Sequence, residues 1–391
     1  MRDSRVGGEQ EQLVEPTGNW AILAKAGENP VMRKLRWGFL RQYRRLSSAH
    51  LSDQNRRELL DMVGEEPWLS ENGWLWRIDR IVRSGDARVA KFRLVSASHA
   101  DACETVWMRT QQGRVTVCVS TQIGCGVGCS FCATGRMGFR RQLSSWEIIE
   151  QVLRAGMLGP KHSLMEDDNA ITANSRKRID STIVPVRNIV FMGMGEPLHN
   201  LPAVTESLER LTDENWFGIS PRTITVSTAG VPRGMIALAK RFPRLRLALS
   251  LHSADPSKRR ELVPHAVGDL EKLRSTIADV NQLQEGPVWI EIALLAGVND
   301  GLDDARKLVE FCQGLRVEVN VIPYNDTSHS SQALPRLEMV ASYRAPEVAS
   351  IDAFIGELRR SGIFTTYRKT QGESIQAACG QLVAPVRTVS K

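Results

Sequence analysis

The chain has 391 residues, 42% of them hydrophobic and 24% charged, which is enough for one large α/β barrel with small appendages, or for two to three ordinary domains. No long apolar span is present, and Arg2, Asp3, Arg5, Glu9 and Glu11 crowd the N-terminal stretch, so neither a membrane helix nor a secretory leader is expected. Seven cysteines, an odd number with three clustered, argue against a secreted disulfide framework and for a reducing cytoplasm, while the net charge of +7 is compatible with a nucleic-acid partner.

Residues 1–30 are polar, carry Gly, Glu and Pro, and read as a disordered lead. Residues 31–114 read as a helical segment followed by a small β region. The run Val31–Arg45 holds Arg33, Lys34, Arg36, Arg41, Arg44 and Arg45 without an acid, interleaved with Trp37, Phe39 and Tyr43. As a helix it could lay guanidinium groups along phosphates; a solvated basic face is the equally weighted alternative. Ser52 is the expected N-cap of the next helical run. Short β segments follow between Trp74 and Met108, among them RVAKFRLVSA and ETVWMR.

From Val115 onward, strand-like runs alternate with helical ones. The strands are VTVCVS, NIVFMG, RTITVST, RLALSLH, VWIEIAL and VEVNVIPY; SSWEIIEQVLRAGML and LDDARKLVEFCQGL lie among the helices. Six βα units predict an α/β fold, a parallel sheet curled into a partial TIM-like (β/α)6 barrel over 115–370. Residues 160–184 are too polar and too long for a compact loop and read as an insertion, with a shorter one near 327–348. Residues 371–391 form a C-terminal segment. Functional groups belong at the C-terminal ends of parallel strands. Gly195, Glu196, Ser227, Ser250, His252 and Asn325 all fall there.

The strongest chemical signal is Cys125-x3-Cys129-x2-Cys132 in CGVGCSFCATG. Three thiolates so spaced can wrap one loop around three irons of a [4Fe–4S] cluster and leave the fourth open. Gly124, Gly126 and Gly128 let the loop curl, and Phe131 can shield a face from water. A zinc knuckle would want a fourth Cys or His nearby, and the next histidine is the distant His162. A ferredoxin would need a fourth thiolate and different spacing. The spacing is the signature of radical S-adenosylmethionine (SAM) enzymes, whose open iron chelates the amino and carboxylate groups of SAM. Glu196 and the backbone around Gly195 could hold an ammonium. Ser250 and His252 could bond a ribose or carboxylate. For Cys103, Cys118, Cys312 and Cys379 the residue type alone indicates no more than small buried side chains.

The stretches ETVWM, VTVCVSTQIGCGVGCSFCATG, MGMGEPLHN, TVSTAGV, LALSLHSAD, GVND, NVIPYN and RKTQGESIQAACGQL, in that order from about Ala87 to Val386, resemble the radical-SAM RNA adenine methyltransferases, the family of RlmN and Cfr. The resemblance implies that Cys125, Cys129 and Cys132 hold the cluster. It implies that Gly195, Glu196, Ser227, Ser250, Leu251, His252 and Asn325 contact SAM. It makes Cys379 the S-methylcysteine intermediate, Cys118 its resolving partner, and Glu104 a proton acceptor, although a Cys118 thiolate could take the same proton. The implied substrate is an adenine carbon of RNA, in 23S ribosomal RNA or tRNA, with a flavodoxin-like one-electron donor. MGMGEP points to C2 rather than to the C8-directed resistance branch. A divergent paralogue with another substrate, or a non-enzymatic iron–sulfur RNA-binding protein, are the other readings; mere binding would not need the Cys118/Cys379 pair.

Overall fold

The computed structural model describes residues 18–25, 73–159, 185–266, 268–327, 343–368 and 370–384. The basic run Val31–Arg45, the segment behind Ser52, the 160–184 insertion and most of 327–348 lie outside them.

An antiparallel meander opens the sheet: β1 (Trp76–Arg83), β2 (Val89–Ser96), β3 (Ala102–Arg109) and β4 (Val115–Cys118). A separate two-stranded ribbon follows, β5 (Gln122–Gly124) against β6 (Phe139–Gln142). The sheet then continues from β4 with strands that each pair in parallel to the last: β7 (Val186–Phe191), β8 (Ile224–Thr228), β9 (Arg246–Ser250), β10 (Val288–Leu294), β11 (Val317–Pro323) and β12 (Thr365–Tyr367). The six expected parallel strands are all present. The seventh, β12, escapes a sequence reading because TTY has no apolar run. Among the described residues β1 and β12 are open edges, so the barrel is incomplete.

Parallel strands covered on both faces need near-continuous apolar residues. Ile290 of β10 therefore sits between Leu249 of β9 and Val319 of β11, all fully buried. The covering helices begin where the sequence caps them. Helix α1 is Gly18–Lys25 and α2 is the short Ala133–Arg136. Helix α3 (Ser145–Leu158) starts on a capping box between Ser144 and Glu147. Then come α4 (Leu201–Thr212), α5 (Pro232–Arg241), α6 (Pro256–Leu262), α7 (Leu270–Leu283), α8 (Leu302–Cys312) and α9 (Val348–Arg360). Among the described residues no helix is long and apolar enough to cross a membrane.

One expectation is corrected. Within the supposed disordered lead, residues 18–25 are a helix, anchored by the buried side chains of Trp20 and Leu23. Trp20 is fully buried and packs on Trp74 and Trp146, with ring centroids at 5.8 and 5.3 Å. Its Nε1 donates to Glu150 Oε2 at 2.7 Å, and Glu150 also accepts from the backbone N–H groups of Leu75 and Trp76. One buried carboxylate of α3 thus ties α1 and the start of β1 together. Burial raises its pKa to about 7 despite those three donors. Composition marks a segment as polar, but it does not weigh one large aromatic side chain with a site to fill.

Candidate active site

The cysteine loop is strung between β5 and β6. Its curl depends on two glycines. At Gly124 (φ +73°) a Cβ would lie 1.8 Å from the Gly138 carbonyl oxygen, and at Gly135 it would lie 2.8 Å from the Cys129 nitrogen. Cys125 N–H donates to Gly138 and Ser130 N–H to Leu262, which fastens the loop to its own ribbon and to α6. Cys125, Cys129 and Cys132 pack against Val127, Phe131, Ala229, Leu262, Val263 and Leu295. Burial pushes the Cys125 thiol up to about 12 and Cys129 well above its usual value, with the neighbouring cysteines adding to both. Thiols raised in this way, as Cys125 and Cys129 are, resist ionising by themselves; a cationic iron core is what such a donor set fits. Among the described residues no three His, Cys, Asp or Glu side chains converge on a single-ion site. A cuboidal cluster asks for something else, one thiolate per iron corner.

These cysteines form one wall of a cavity of about 170 Å³ at the C-terminal ends of the parallel strands. Gly195, Glu196, Ser227, Ser250, His252 and Asn325 line it. Gly195 (φ +104°) must be glycine, since a Cβ would meet the Gln122 backbone nitrogen at 2.8 Å. Glu196 is buried, and its carboxylate accepts from Leu198 N–H at 3.0 Å and Ala229 N–H at 2.7 Å, which joins the β7 turn to the end of β8. Burial raises its pKa. The hydroxyls of Ser227 and Ser250 meet at 2.9 Å. His252 takes a left-handed backbone (φ +60°), stacks edge-on against Phe131 and accepts from Ala293 N–H at Nδ1, 3.1 Å. Burial, with the Arg259 guanidinium beside it, brings its pKa down to about 3, so it is neutral at physiological pH.

Leu251 does not join them. Its side chain is fully buried in the core, its N–H donates to the Glu291 carbonyl, and its own carbonyl accepts from Arg259. Ser250 and His252 line the cavity, while the Leu251 side chain between them lies in the hydrophobic core.

A second cavity of about 200 Å³ lies next to the first. Cys118, Met108, Thr116, Gln371 and Ala378 line it, and Met192, Ile322, Asn325, Arg368 and Cys379 line both. Cys379 therefore stands between the cluster side and the Cys118 side. Cys118 is buried, and its thiol is pushed up to about 12, first by burial and then by Cys379. Cys379 itself is exposed. Its loop is held from several directions. Ala133 N–H donates to the Gly380 carbonyl and Thr134 Oγ1 to that of Leu382, both at the start of the helix behind Cys132. Asn325 Nδ2 donates to the Cys379 carbonyl, and Gln381 Nε2 to that of Asp326.

Glu104 lies elsewhere. It lines neither cavity; Oε2 accepts from Val383 N–H at 2.9 Å, and Oε1 lies 3.2 Å from Lys91 Nζ. Burial raises its pKa against these partners.

Three residues of the site went unread in the sequence. Arg259, on α6, is buried and donates to the carbonyls of Ser250, Leu251 and Ala229, which bundles the ends of β8 and β9 beneath His252. Burial lowers its pKa to about 10. In PSKRREL it looks like part of a solvated helix face. Arg368 lines both cavities, and its pKa is raised, chiefly by the negative charge that Cys379 carries as a thiolate. Glu291 lines the first cavity, with Oε1 bonded to Asn320 Nδ2 at 3.0 Å and Oε2 without a hydrogen-bond partner among the described residues. A lone carboxylate inside VWIEIAL was the available signal.

An incomplete parallel barrel with three thiols looped over the C-terminal ends of its strands is the arrangement of a radical SAM enzyme. The profile of the Radical SAM superfamily matches residues 119–312. A protein of Rhodopirellula baltica named as a probable RNA methyltransferase is 44% identical over 281 residues, covering 72% of this chain and 66%, just under two thirds, of that one. The dual-specificity RNA methyltransferase RlmN of Solidesulfovibrio magneticus is 34% identical, with 93% of each chain covered. The probable RlmN of Chlorobaculum tepidum is 39% identical, over 76% of this chain and 72% of its own. A crystal structure of a radical SAM methyltransferase from Sphaerobacter thermophilus superposes with a TM-score of 0.72 at 30% identity, covering 92% of this chain and 97% of that one. The chain belongs to the RlmN-type radical SAM RNA methyltransferases. The cofactors of that superfamily are a [4Fe–4S] cluster and SAM, and the donor set of the cysteine loop fits the former.

Proposed function

We propose that this enzyme methylates an adenine carbon of RNA, with C2 favoured, and that the methyl group travels on Cys379. The observation that carries this reading is the place of Cys379, in the wall shared by the cavity of the cluster cysteines and the cavity of Cys118. Adenine C2 is electron-poor and cannot attack a sulfonium methyl group, so a direct displacement is closed. A thiolate is not so limited. Cys379 takes the methyl group by displacement, forming an S–CH3 bond as the sulfonium C–S bond breaks.

Cys125, Cys129 and Cys132 would hold the cluster; Gly195, Glu196, Ser227, Ser250, His252 and Asn325 would position SAM. Bound together, cluster and SAM supply a one-electron route to a carbon radical able to take hydrogen from a methyl group. The apolar packing of Phe131 and Val127 around the cysteines keeps water from that chemistry. Cys118, which lines the second cavity, releases the product: its sulfur bonds to the Cys379 sulfur as the S–CH2 bond of the RNA adduct breaks, the bonding pair leaves with the carbon, which takes up a proton, and the resulting disulfide must be reduced before the next turnover. The substrate class is ribosomal RNA, with tRNA as a second target. A flavodoxin-like protein supplies electrons, the reaction is cytoplasmic, and residues 31–114 make the further RNA contact.

The test is nucleoside mass spectrometry of separated ribosomal RNA and tRNA from cells with and without the gene. Loss of 2-methyladenosine from either fraction is expected. Loss of 8-methyladenosine would move the enzyme to the other carbon, and unchanged methyladenosines would reject the reading.

A further inference from the structure

We infer that Lys91 and Glu104 form a latch that positions the Cys379 loop, and that this is the contribution of Glu104 to the reaction. The inference rests on the reading of Cys379 as the methyl carrier. Lys91 stands on β2 and Glu104 on β3, a diagonal pair on one face of the antiparallel ladder, because Lys91 pairs with Val106 and Arg93 with Glu104. Lys91 Nζ is 3.2 Å from Glu104 Oε1 and donates to the Gln376 carbonyl at 3.0 Å. Glu104 Oε2 accepts from Val383 N–H at 2.9 Å. One ion pair thus grips the loop three residues before Cys379 and four residues after it.

The geometry favours this over a proton-transfer role. A general base must come within hydrogen-bond reach of the proton it removes, directly or through one water. The Glu104 carboxylate lines neither cavity that holds the reactive cysteines, and each of its oxygens already has a partner. Its own carbonyl accepts from Ser120 Oγ at 2.6 Å, which fixes this part of β3 to the start of the cluster segment. The left-handed backbone of Gln376 (φ +53°) goes with the turn that presents its carbonyl to Lys91. The cluster side of the loop is held through Gly380 and Leu382. The Lys91–Glu104 pair holds the opposite side, and together they set where the Cys379 sulfur lies. Both are positioning residues.

The test measures two rates on the full chain carrying its cluster. The first is alkylation of Cys379 by iodoacetamide without RNA or SAM, followed by peptide mass spectrometry. The second is single-turnover methyl transfer to RNA. Lys91→Met is expected to change the alkylation rate by about tenfold and to slow methyl transfer by about tenfold to a hundredfold, the scale on which a misplaced reactive group acts. Lys91→Arg, which keeps the cation and its donors, should recover most of both. Glu104→Ala should match Lys91→Met, with the loss falling on formation of the covalent RNA adduct at Cys379. Unchanged rates in Lys91→Met would overturn the latch. So would a Glu104→Gln protein that forms the adduct at the normal rate and fails only to release it, the behaviour of a missing base. If Lys91→Met did not fold, Lys91→Gln, which keeps one donor for the Gln376 carbonyl, takes its place with the same readouts. Retained methyl transfer in Cys379→Ala would sink the methyl-carrier reading instead, while the alkylation rates of the Lys91 variants still report on the latch.

Discussion

Asn325, just beyond β11, donates from Nδ2 to the carbonyl of Cys379 at 3.0 Å, while its Oδ1 accepts from Thr370 Oγ1 at 2.7 Å. A barrel strand end is thereby bonded directly to the backbone of the reactive cysteine. Asn325→Ala leaves the Cys379 carbonyl unpaired and should slow single-turnover methyl transfer by about tenfold to a hundredfold. Asn325→Asp keeps an acceptor for Thr370 but has no donor for Cys379, so it should resemble the alanine variant. Near-normal transfer by Asn325→Asp would show that this donor does not matter.

Cys379→Ala removes the methyl acceptor without touching a cluster cysteine. Methyl transfer should disappear while iron and sulfide content stay at the wild-type level. Cys118→Ala removes the partner across the second cavity, so RNA should remain covalently attached to Cys379, visible as a shifted band on a denaturing gel. Free product at the wild-type rate from Cys118→Ala would reject its releasing role.

Gly135→Ala places a Cβ 2.8 Å from the nitrogen and 2.9 Å from the oxygen of Cys129. Those are backbone atoms and cannot swing aside, so the loop must open. Iron per chain after anaerobic reconstitution should fall several-fold, with loss of the visible sulfur-to-iron absorption. Gly126→Ala is the comparison: its Cβ would meet Phe139 Cβ at 3.5 Å, an ordinary contact, at a backbone angle open to any residue. Its iron content should stay near wild type.

His252 makes stability depend on pH in a stated direction. Its pKa is about 3 in the folded protein, against an ordinary value of 6.5. Below pH 6.5 the unfolded chain takes up a proton that the folded chain refuses. The stabilisation is therefore complete above pH 6.5 and is lost as pH falls from there toward 3. Each pH unit inside that window costs up to about 1.4 kcal/mol. Asparagine tolerates the left-handed backbone, so denaturant unfolding of wild type and His252→Asn at pH 7.5 and 5.5 isolates the effect. The variant should lose less stability on acidification; equal losses would mean that the imidazole titrates normally. A neutral imidazole contributes no limb of its own to the pH–rate profile between pH 6.5 and 9.

Much of this site could be read from residue order. Cys125, Cys129 and Cys132 sit close in the chain, so any compact loop brings them together. Ser227, Ser250, His252 and Asn325 end apolar strands, and parallel strands gather their ends at one rim. Leu251, which only the family resemblance singled out, lies between two cavity residues with its side chain in the core, so the rule of strand ends does not pick it out. Arg259 went unread because its partners are three backbone carbonyls. Glu104 was legible as a special residue, but its partner Val383 is 279 positions away.

What the sequence by itself determined, then, was what repeats or stays local: the alternation of strands and helices, the cysteine loop, and the polar groups that close each strand. The tertiary structure alone decided how the buried carboxylates and amides are spent. Glu196 is spent on Ala229, Asn325 on Cys379, Glu104 on Val383 and Glu150 on Trp76, in every case on a backbone group. Nearly every residue offers a backbone N–H and every residue a carbonyl, so such partners leave no trace in residue identity. Only packing shows which one lies within 3 Å.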